Sequence, residues 1–178
     1  MLNLASRKII DVKPPLKYAK KISKSKQIGI LATKAAIKSK GLTQYIKQIN
    51  FPKTFKIFKI NASELVELVE SGKFLTDKKY CKKIIKKTLD QKLSQTSIDT
   101  ITLSSTHLPF LKSLLKQEYP NVSFIEPGNI IAKKIFTNIK NNQTKRNSLK
   151  IYASGNVKIF QTKLNKIGIK NKVSFLSS

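Results

Sequence analysis

The side chains best suited to chemistry in this sequence are Ser105, Thr106 and His107, and His107 is the only histidine of the chain. Residues 101–103 just before them are β-branched or apolar and predict a buried strand. Pro109 just after them predicts the first turn of a helix. Side chains at such a junction lie at the carboxyl edge of a sheet, where ligands bind in open α/β folds. The amide groups and positive dipole end of a starting helix suit a carboxylate, so this stretch predicts a site for a carboxylate ligand.

Apolar strands alternate with helical segments along most of the chain, and this alternation indicates how the site is positioned. Ile28, Ile57, Ile101 and Phe124 each lie in a short apolar run, and segments with helical spacing separate these runs. Such alternation predicts βαβ units. We therefore expect an α/β fold with a mostly parallel sheet flanked by helices.

Local residue patterns predict how several helices begin and pack. Residues 35–49 predict one helix, for which Thr33 is the N-cap. Ser63 predicts the cap of the next helix. Asp77 predicts the cap of a lysine-rich helix in which Cys81 falls on the apolar face and packs as a small hydrophobe. A reactive Cys81 is the alternative, because neighbouring lysines would lower its pKa.

The composition excludes several classes of protein. With 178 residues and 40% hydrophobic content, the chain is long enough for one domain with a real core. One cysteine excludes an intramolecular disulfide and a cysteine-built zinc site, and it fits a reducing, cytoplasmic location. The sequence contains no G-x-G-x-x-G and no P-loop, so we expect no cofactor and no bound metal. No apolar run approaches membrane-spanning length, so we expect no membrane association.

The formal net charge of +27 at pH 7 predicts attraction to polyanions. Only Arg7 and Arg146 are arginines, although arginine is the preferred residue for bidentate phosphate and base contacts. The lysines are spread along the chain rather than gathered in one tail. We therefore expect weak, non-specific nucleic-acid binding, and a dedicated nucleic-acid function is an alternative.

Residues 103–109 read Leu-Ser-Ser-Thr-His-Leu-Pro and resemble the Leu-Gly-Cys-Thr-His-x-Pro signature of the glutamate racemases, within the aspartate/glutamate racemase family. The signature is specific because it follows a buried strand and opens a helix. One departure matters, since Ser105 stands where the family has a catalytic cysteine. Other segments are also similar to the family: residues 28–39 around Thr33, residues 69–72 with Glu70, the acid-Pro-Gly turn at residues 126–128, and residues 151–156.

The resemblance implies a role for each residue of the predicted site. Ser105 takes the position of a catalytic base, and Glu70 and His107 take positions that support such a base. Thr106 and His107 would hold the carboxylate of an amino-acid substrate, glutamate or aspartate. Thr33 is either a helix cap alone or a cap that also contacts the ligand. The family interconverts L- and D-glutamate without a cofactor, and serine is a much weaker base than cysteine for this reaction.

The resemblance also implies a domain organisation. Residues 1–25 form a lead-in, residues 26–126 form one lobe of an Asp/Glu racemase-like fold, and residues 127–178 form a segment that packs on the first lobe in the family. The first-lobe motifs Asp-Ser-Gly and Cys-Asn-Thr do not occur in this sequence. We therefore expect a truncated or catalytically impaired racemase homologue whose partner is a separate first lobe or a second copy in a homo-oligomer. The alternatives are a non-catalytic binding or assembly module and a lysine-rich nucleic-acid-associated protein.

Overall fold

The computed structural model describes residues 11–139 and 148–176 of the chain. Within them, four strands pair in parallel to form a sheet in the order β2-β1-β3-β4. The strands are β1 (Gln27–Ala32), β2 (Lys56–Asn61), β3 (Thr100–Leu103) and β4 (Ser123–Ile125). This sheet confirms the predicted α/β fold with mostly parallel strands.

Helices precede, connect and follow the strands. They are α1 (Leu16–Ile22), α2 (Lys34–Lys38), α3 (Lys40–Ile49), α4 (Ser63–Glu70), α5 (Lys73–Thr76), α6 (Lys78–Ser94), α7 (Lys112–Glu118) and α8 (Gly128–Ile139). A short 3₁₀ helix, Leu108–Leu111, leads directly into α7. Of the predicted lead-in, residues 11–25 are described, and they contain α1. In the described parts of the chain, no helix is both long and apolar enough to cross a membrane.

Ser39 divides a segment that the sequence predicts as one helix. Helix α2 ends at Lys38, and Ser39 has an extended backbone with φ −67° and ψ 141°. Its hydroxyl accepts a hydrogen bond from the backbone N–H of Leu42 at 3.1 Å and so caps α3. Serine competes with the helical hydrogen bonds in this way more readily than most residues do. The prediction of one continuous helix is therefore wrong.

The residues of β1 alternate between the two faces of the sheet. Ile28 and Ile30 are buried on one face together with Leu16 of α1. Leu31 is buried on the other face, in a layer that also contains Cys81 of α6. Both faces of the sheet are thus covered by apolar side chains, as a parallel sheet requires. The burial of Cys81 confirms the prediction that it faces the core.

Asp99, just before β3, ties the amino ends of β1 and β3 together. Its carboxylate accepts hydrogen bonds from the hydroxyl of Ser23 at 2.7 Å and from the backbone N–H groups of Lys24 and Ser25 at 2.7 and 2.8 Å. Burial raises the pKa of Asp99, but these hydrogen bonds outweigh burial and hold the pKa below its ordinary value. The carboxylate is therefore ionised at neutral pH and fixes the turn that leads into β1.

The described residues fall into two compact units, and the second unit begins at Ile139. It contains β5 (Ile151–Ala153), α9 (Val157–Lys166) and β6 (Val173–Phe175). Strands β5 and β6 pair in parallel, so this unit is a small βαβ motif. Asn156 caps α9 by accepting a hydrogen bond from the backbone N–H of Ile159 at 3.0 Å. Residues 139–178 contain no aspartate and no glutamate.

Replacing Gly29 with alanine tests how closely β1 and β3 approach. A Cβ atom at Gly29 would lie 2.9 Å from Cγ1 of Ile101 and 3.2 Å from Cδ1 of Ile60. We expect Gly29→Ala to lower the free energy of unfolding by about 1–3 kcal/mol, because these buried side chains must shift. Gly41→Ala is the matched control and should not destabilise the chain, since nothing lies within 4 Å of its Cβ position. Urea denaturation measures both variants, and an unchanged stability of Gly29→Ala would contradict this close packing.

Candidate active site

The carboxyl ends of three neighbouring strands meet at one edge of the sheet. The backbone N–H of Ser104, after β3, donates to the carbonyl oxygen of Leu31 in β1 at 2.8 Å. The backbone N–H of Ala62, after β2, donates to the carbonyl oxygen of Ala32 at 2.8 Å. These bonds hold the loops after β1, β2 and β3 side by side. The polar residues that follow the strands therefore lie in one region, at the edge where open α/β sheets bind ligands.

Ser105 and His107 contact each other directly in the turn after β3. Ser105 Oγ lies 3.3 Å from His107 Nδ1, and the backbone N–H of His107 donates to the same Oγ at 3.4 Å. The backbone N–H of Leu108 donates to the carbonyl oxygen of Ser105 at 3.3 Å. The predicted helix follows this turn, but its first turn, Leu108–Leu111, is 3₁₀ helix that contains Pro109, and α7 begins only after it.

Glu70 reaches the same histidine from the end of α4. Its Oε1 atom lies 3.5 Å from Nε2 of His107. Helix α4 contacts the 3₁₀ helix, and the rings of Phe74 and Phe110 lie 5.4 Å apart between their centroids. The side chains of His107 and Glu70 are 38% and 59% exposed, so a dissolved ligand can reach them. The structure thus brings together Ser105, His107 and Glu70, the three residues that the sequence predicted as catalytic.

Thr33 and Thr106 follow β1 and β3 at this edge and make different contacts. Thr33 Oγ1 accepts a hydrogen bond from the backbone N–H of Ala36 at 3.3 Å and so caps α2, as predicted. Thr106 is exposed between Ser105 and His107. Contact of either threonine with a ligand remains a prediction.

Asn61 and Ser63 belong to this edge as well, although the sequence did not identify them as site residues. Oδ1 of Asn61 accepts a hydrogen bond from the hydroxyl of Ser63 at 2.9 Å. Ser63 Oγ in turn accepts the backbone N–H of Lys34 at 3.0 Å. The predicted cap at Ser63 is wrong, because the N-cap position of α4 is Ala62 and no side chain caps it. The sequence signal for these residues is that they follow the end of a predicted strand.

A hydroxyl, an imidazole and a carboxylate in contact can accept and pass on a proton from a bound ligand. In residues 11–139 and 148–176, no group of three or more His, Cys, Asp or Glu side chains is placed to hold a metal ion. Fold and site together define an α/β lobe with a hydroxyl–imidazole–carboxylate cluster at the carboxyl edge of its sheet.

The chain is similar to three known proteins. A glutamate racemase from Sulfurihydrogenibium sp. (strain YO3AOP1) is 34% identical to the chain over 141 residues, which are 79% of this chain and 52% of that protein. The crystal structure of a glutamate racemase from Bacillus anthracis matches with a TM-score of 0.76 and 22% identity, covering 97% of this chain and 66% of that one. Glutamate racemase from Escherichia coli, crystallised with L-glutamate, matches with a TM-score of 0.73 and 20% identity, covering 93% of this chain and 64% of that one. No protein-family model matches the chain.

The chain is a homologue of the glutamate racemases over part of their length. The sequence relationship is at the level of 34% identity, and the two solved structures show that the fold is shared. The chain spans about half the length of the curated relative, 52% of it. This finding confirms the resemblance that residues 103–109 indicated.

Alkylation tests whether the thiol of Cys81 is reactive in the native chain. Its side chain is fully buried, and burial raises the pKa of the thiol. We expect iodoacetamide to alkylate Cys81 in the native chain about tenfold or more slowly than in urea, because the buried thiol is rarely ionised. Ser105→Cys is the control, because its added thiol lies at the accessible edge and should react first. Peptide mass spectrometry distinguishes the two positions, and rapid native alkylation at Cys81 would support the alternative of a reactive cysteine.

Proposed function

We propose that the chain acts as the second lobe of a glutamate racemase, and that it holds the carboxylate of glutamate or aspartate without racemising it alone. The observation that carries this proposal is the cluster of Ser105, His107 and Glu70 at the carboxyl edge of the sheet. By the resemblance, these residues stand at the position of a catalytic base and of the two groups that support it. The E. coli relative was crystallised with L-glutamate, which supports an amino-acid ligand.

Racemisation without a cofactor needs two acid–base groups, one on each face of the substrate Cα. A lobe with one such cluster supplies a group for one face only. Ser105 performs this task poorly, because a serine hydroxyl ionises far less readily than a thiol, whose pKa is about 8.5. This chain therefore binds the substrate, and a separate lobe supplies the second base.

Thr106 and His107 are the residues that we propose to hold the carboxylate. Thr106 is exposed, and its hydroxyl can donate a hydrogen bond to an anionic oxygen. The net charge of +27 adds long-range attraction for an acidic amino acid. Thr33 accepts one hydrogen bond as a cap, but its own hydroxyl proton can still be donated to a ligand.

Exposed apolar side chains of the second unit support the proposal of a partner. Tyr152, Ile159 and Phe175 are 52%, 57% and 64% exposed. Parallel strands in α/β proteins are normally covered on both faces, and a pair of short strands is marginally stable by itself. A separate first lobe, or a second copy of the chain, would cover these side chains.

Exchange of the Cα hydrogen for deuterium tests the catalytic part of the proposal. In D₂O the chain alone should exchange the Cα hydrogen of neither glutamate nor aspartate, because Ser105 is a poor base. Ser105→Cys alone should not invert L-glutamate, because only one face of Cα then has a base. Ser105→Cys mixed with the amino-terminal half of the Sulfurihydrogenibium enzyme is the combination that could invert it. NMR measures exchange, and chiral chromatography measures inversion.

Two variants identify the responsible residue if the unmodified chain does exchange the hydrogen. Exchange that is lost in His107→Ala would contradict the proposal and show that the serine site contains a competent base. Exchange that is lost in Cys81→Ala would show that the chemistry takes place at a different residue. Inversion of L-glutamate by the chain alone would contradict the proposal that a separate lobe supplies the second base.

A lysine-rich helix supports a second candidate function, the non-specific binding of nucleic acid. Helix α6 contains seven lysines in 17 residues. Lys82 and Lys86 pair with Glu118 at 2.9 and 3.3 Å. Lys78 and Lys79 in the same helix are exposed. Exposed lysines attract phosphates without reading the base sequence.

Salt titration tests this second candidate. The logarithm of the affinity for single-stranded RNA and for duplex DNA should fall linearly with the logarithm of the salt concentration, with no sequence preference. Replacing Lys78 and Lys79 by glutamine should lower the slope by about 0.7–0.9 for each lost phosphate contact. Lys82→Gln is the control and should change the slope less, because Lys82 already pairs with Glu118. Tight binding of one sequence at physiological salt would instead support a dedicated nucleic-acid function.

A further inference from the structure

The contacts of His107 with Glu70 and Ser105 indicate the direction in which a proton can move. Nε2 of His107 lies 3.5 Å from Oε1 of Glu70, and an ionised carboxylate can only accept a hydrogen bond. In the neutral ring this contact favours the tautomer that carries its proton on Nε2, so Nδ1 is unprotonated. Ser105 Oγ lies 3.3 Å from Nδ1 and accepts the backbone N–H of His107 at 3.4 Å, and its own proton is then available for Nδ1. The tautomer is assigned from these neighbours.

This order of groups is the order found in an activated serine nucleophile. A hydroxyl faces the unprotonated nitrogen of a histidine, and the other nitrogen of the ring faces a carboxylate. Serine is a weak base toward a carbon-bound hydrogen, but it becomes a nucleophile when a neighbouring imidazole takes its proton during attack. Distances of 3.3 and 3.5 Å are slightly long for hydrogen bonds, as is common in such sites before a ligand binds.

We propose that Ser105 is a nucleophile that accepts an acyl group from a small activated ester. Ser105 Oγ attacks the carbonyl carbon, and its proton moves to Nδ1 of His107. The bond between the carbonyl carbon and the leaving oxygen then breaks, and the leaving alcohol takes the proton from Nδ1. The product is an ester on Ser105, which water hydrolyses by the same proton transfers in reverse order. This activity goes beyond the racemase proposal and does not depend on it. Attack on a carbonyl carbon needs a nucleophile on one face of the substrate only, whereas racemisation needs a group on each face.

Glu70 is a positioning residue, because it contacts His107 and not the reacting atoms. Its place is set by the contact of α4 with the 3₁₀ helix and by the ring contact of Phe74 with Phe110. A negative charge beside Nε2 favours the tautomer with the proton on Nε2. The same charge stabilises the imidazolium that forms while Ser105 attacks.

Ser104 offers a matched comparison within the same turn. Its Oγ lies 3.1 Å from Oγ1 of Thr102 and 3.4 Å from the carbonyl oxygen of Thr102. Neither of these oxygens is a base that takes a proton from a hydroxyl at neutral pH. Ser104 and Ser105 are both half-buried. A difference in their reactivity therefore reflects the contact of Ser105 with His107 rather than a difference in solvent exposure.

Labelling with a fluorophosphonate detects the nucleophile directly, because the serine oxygen displaces fluoride from phosphorus while its proton moves to His107. We expect mass spectrometry to find the label on Ser105, no label in Ser105→Ala, and an unchanged rate in Ser104→Ala. His107→Ala should slow labelling by about 10²-fold, and Glu70→Gln should slow it by a smaller factor. An equal rate at Ser104 and Ser105, or an unchanged rate in His107→Ala, would overturn the proposal. The colorimetric release of nitrophenol from nitrophenyl acetate should follow the same order of variants.

A measurement on the unmodified chain makes the test independent of whether the variants fold. His107 is the only histidine, so ¹⁵N-labelled histidine gives a single imidazole in the NMR spectrum. We expect nitrogen chemical shifts of the tautomer that carries its proton on Nε2, and Glu70→Gln should shift the population toward the other tautomer. A ring that carries its proton mainly on Nδ1 cannot take the proton of Ser105, and this result would overturn the proposal.

Discussion

The parallel register of β1 and β3 is the constraint on which the site depends. Leu31 pairs with Leu103, so Thr33 and Ser105, which each follow two positions later, leave the sheet at the same level. At the opposite edge, Asp99 holds the turn before β1 against the start of β3 through its hydrogen bonds. A slip of one residue would turn every side chain of β3 to the other face of the sheet and would move the histidine turn away from its neighbours.

The sheet could be predicted from the sequence because its signal is local. Apolar runs around Ile28 and Ile101 are bounded by polar residues, and helical spacing between them requires parallel crossover connections. The details that were predicted wrongly depend on single hydroxyl groups. Ser39 stops one helix and starts the next within one residue, and the hydroxyl of Ser63 bonds to Lys34 instead of capping its own helix. Lys34 lies 29 residues before Ser63, and a hydrogen bond between residues so far apart in the sequence cannot be predicted from a local pattern.

The residue types of the site could be read from the sequence, but only the family resemblance indicated that these residues belong to one site. Nothing in the spacing of Glu70 and His107 shows that they meet, because their contact depends on how α4 packs against the 3₁₀ helix. The assigned tautomer of His107 depends on the carboxylate of Glu70 beside Nε2, a contact that only the three-dimensional structure provides. By the resemblance, Ser105 stands where the family has a cysteine, and this difference changes the chemistry of the turn, since a hydroxyl needs a partner base where a thiol can ionise by itself.

The charge of the second unit bears on how fast a proposed partner would associate with it. Residues 148–176 carry six lysines and no acidic residue, and exposed apolar side chains such as Tyr152 and Phe175 lie among them. Two copies that approach through this unit repel each other within a screening distance of about 8 Å at physiological ionic strength. An acidic partner is attracted over the same range, so productive encounters with it are more frequent. Of the two proposed partners, the charge of this unit would therefore favour an acidic separate lobe over a second copy of the chain.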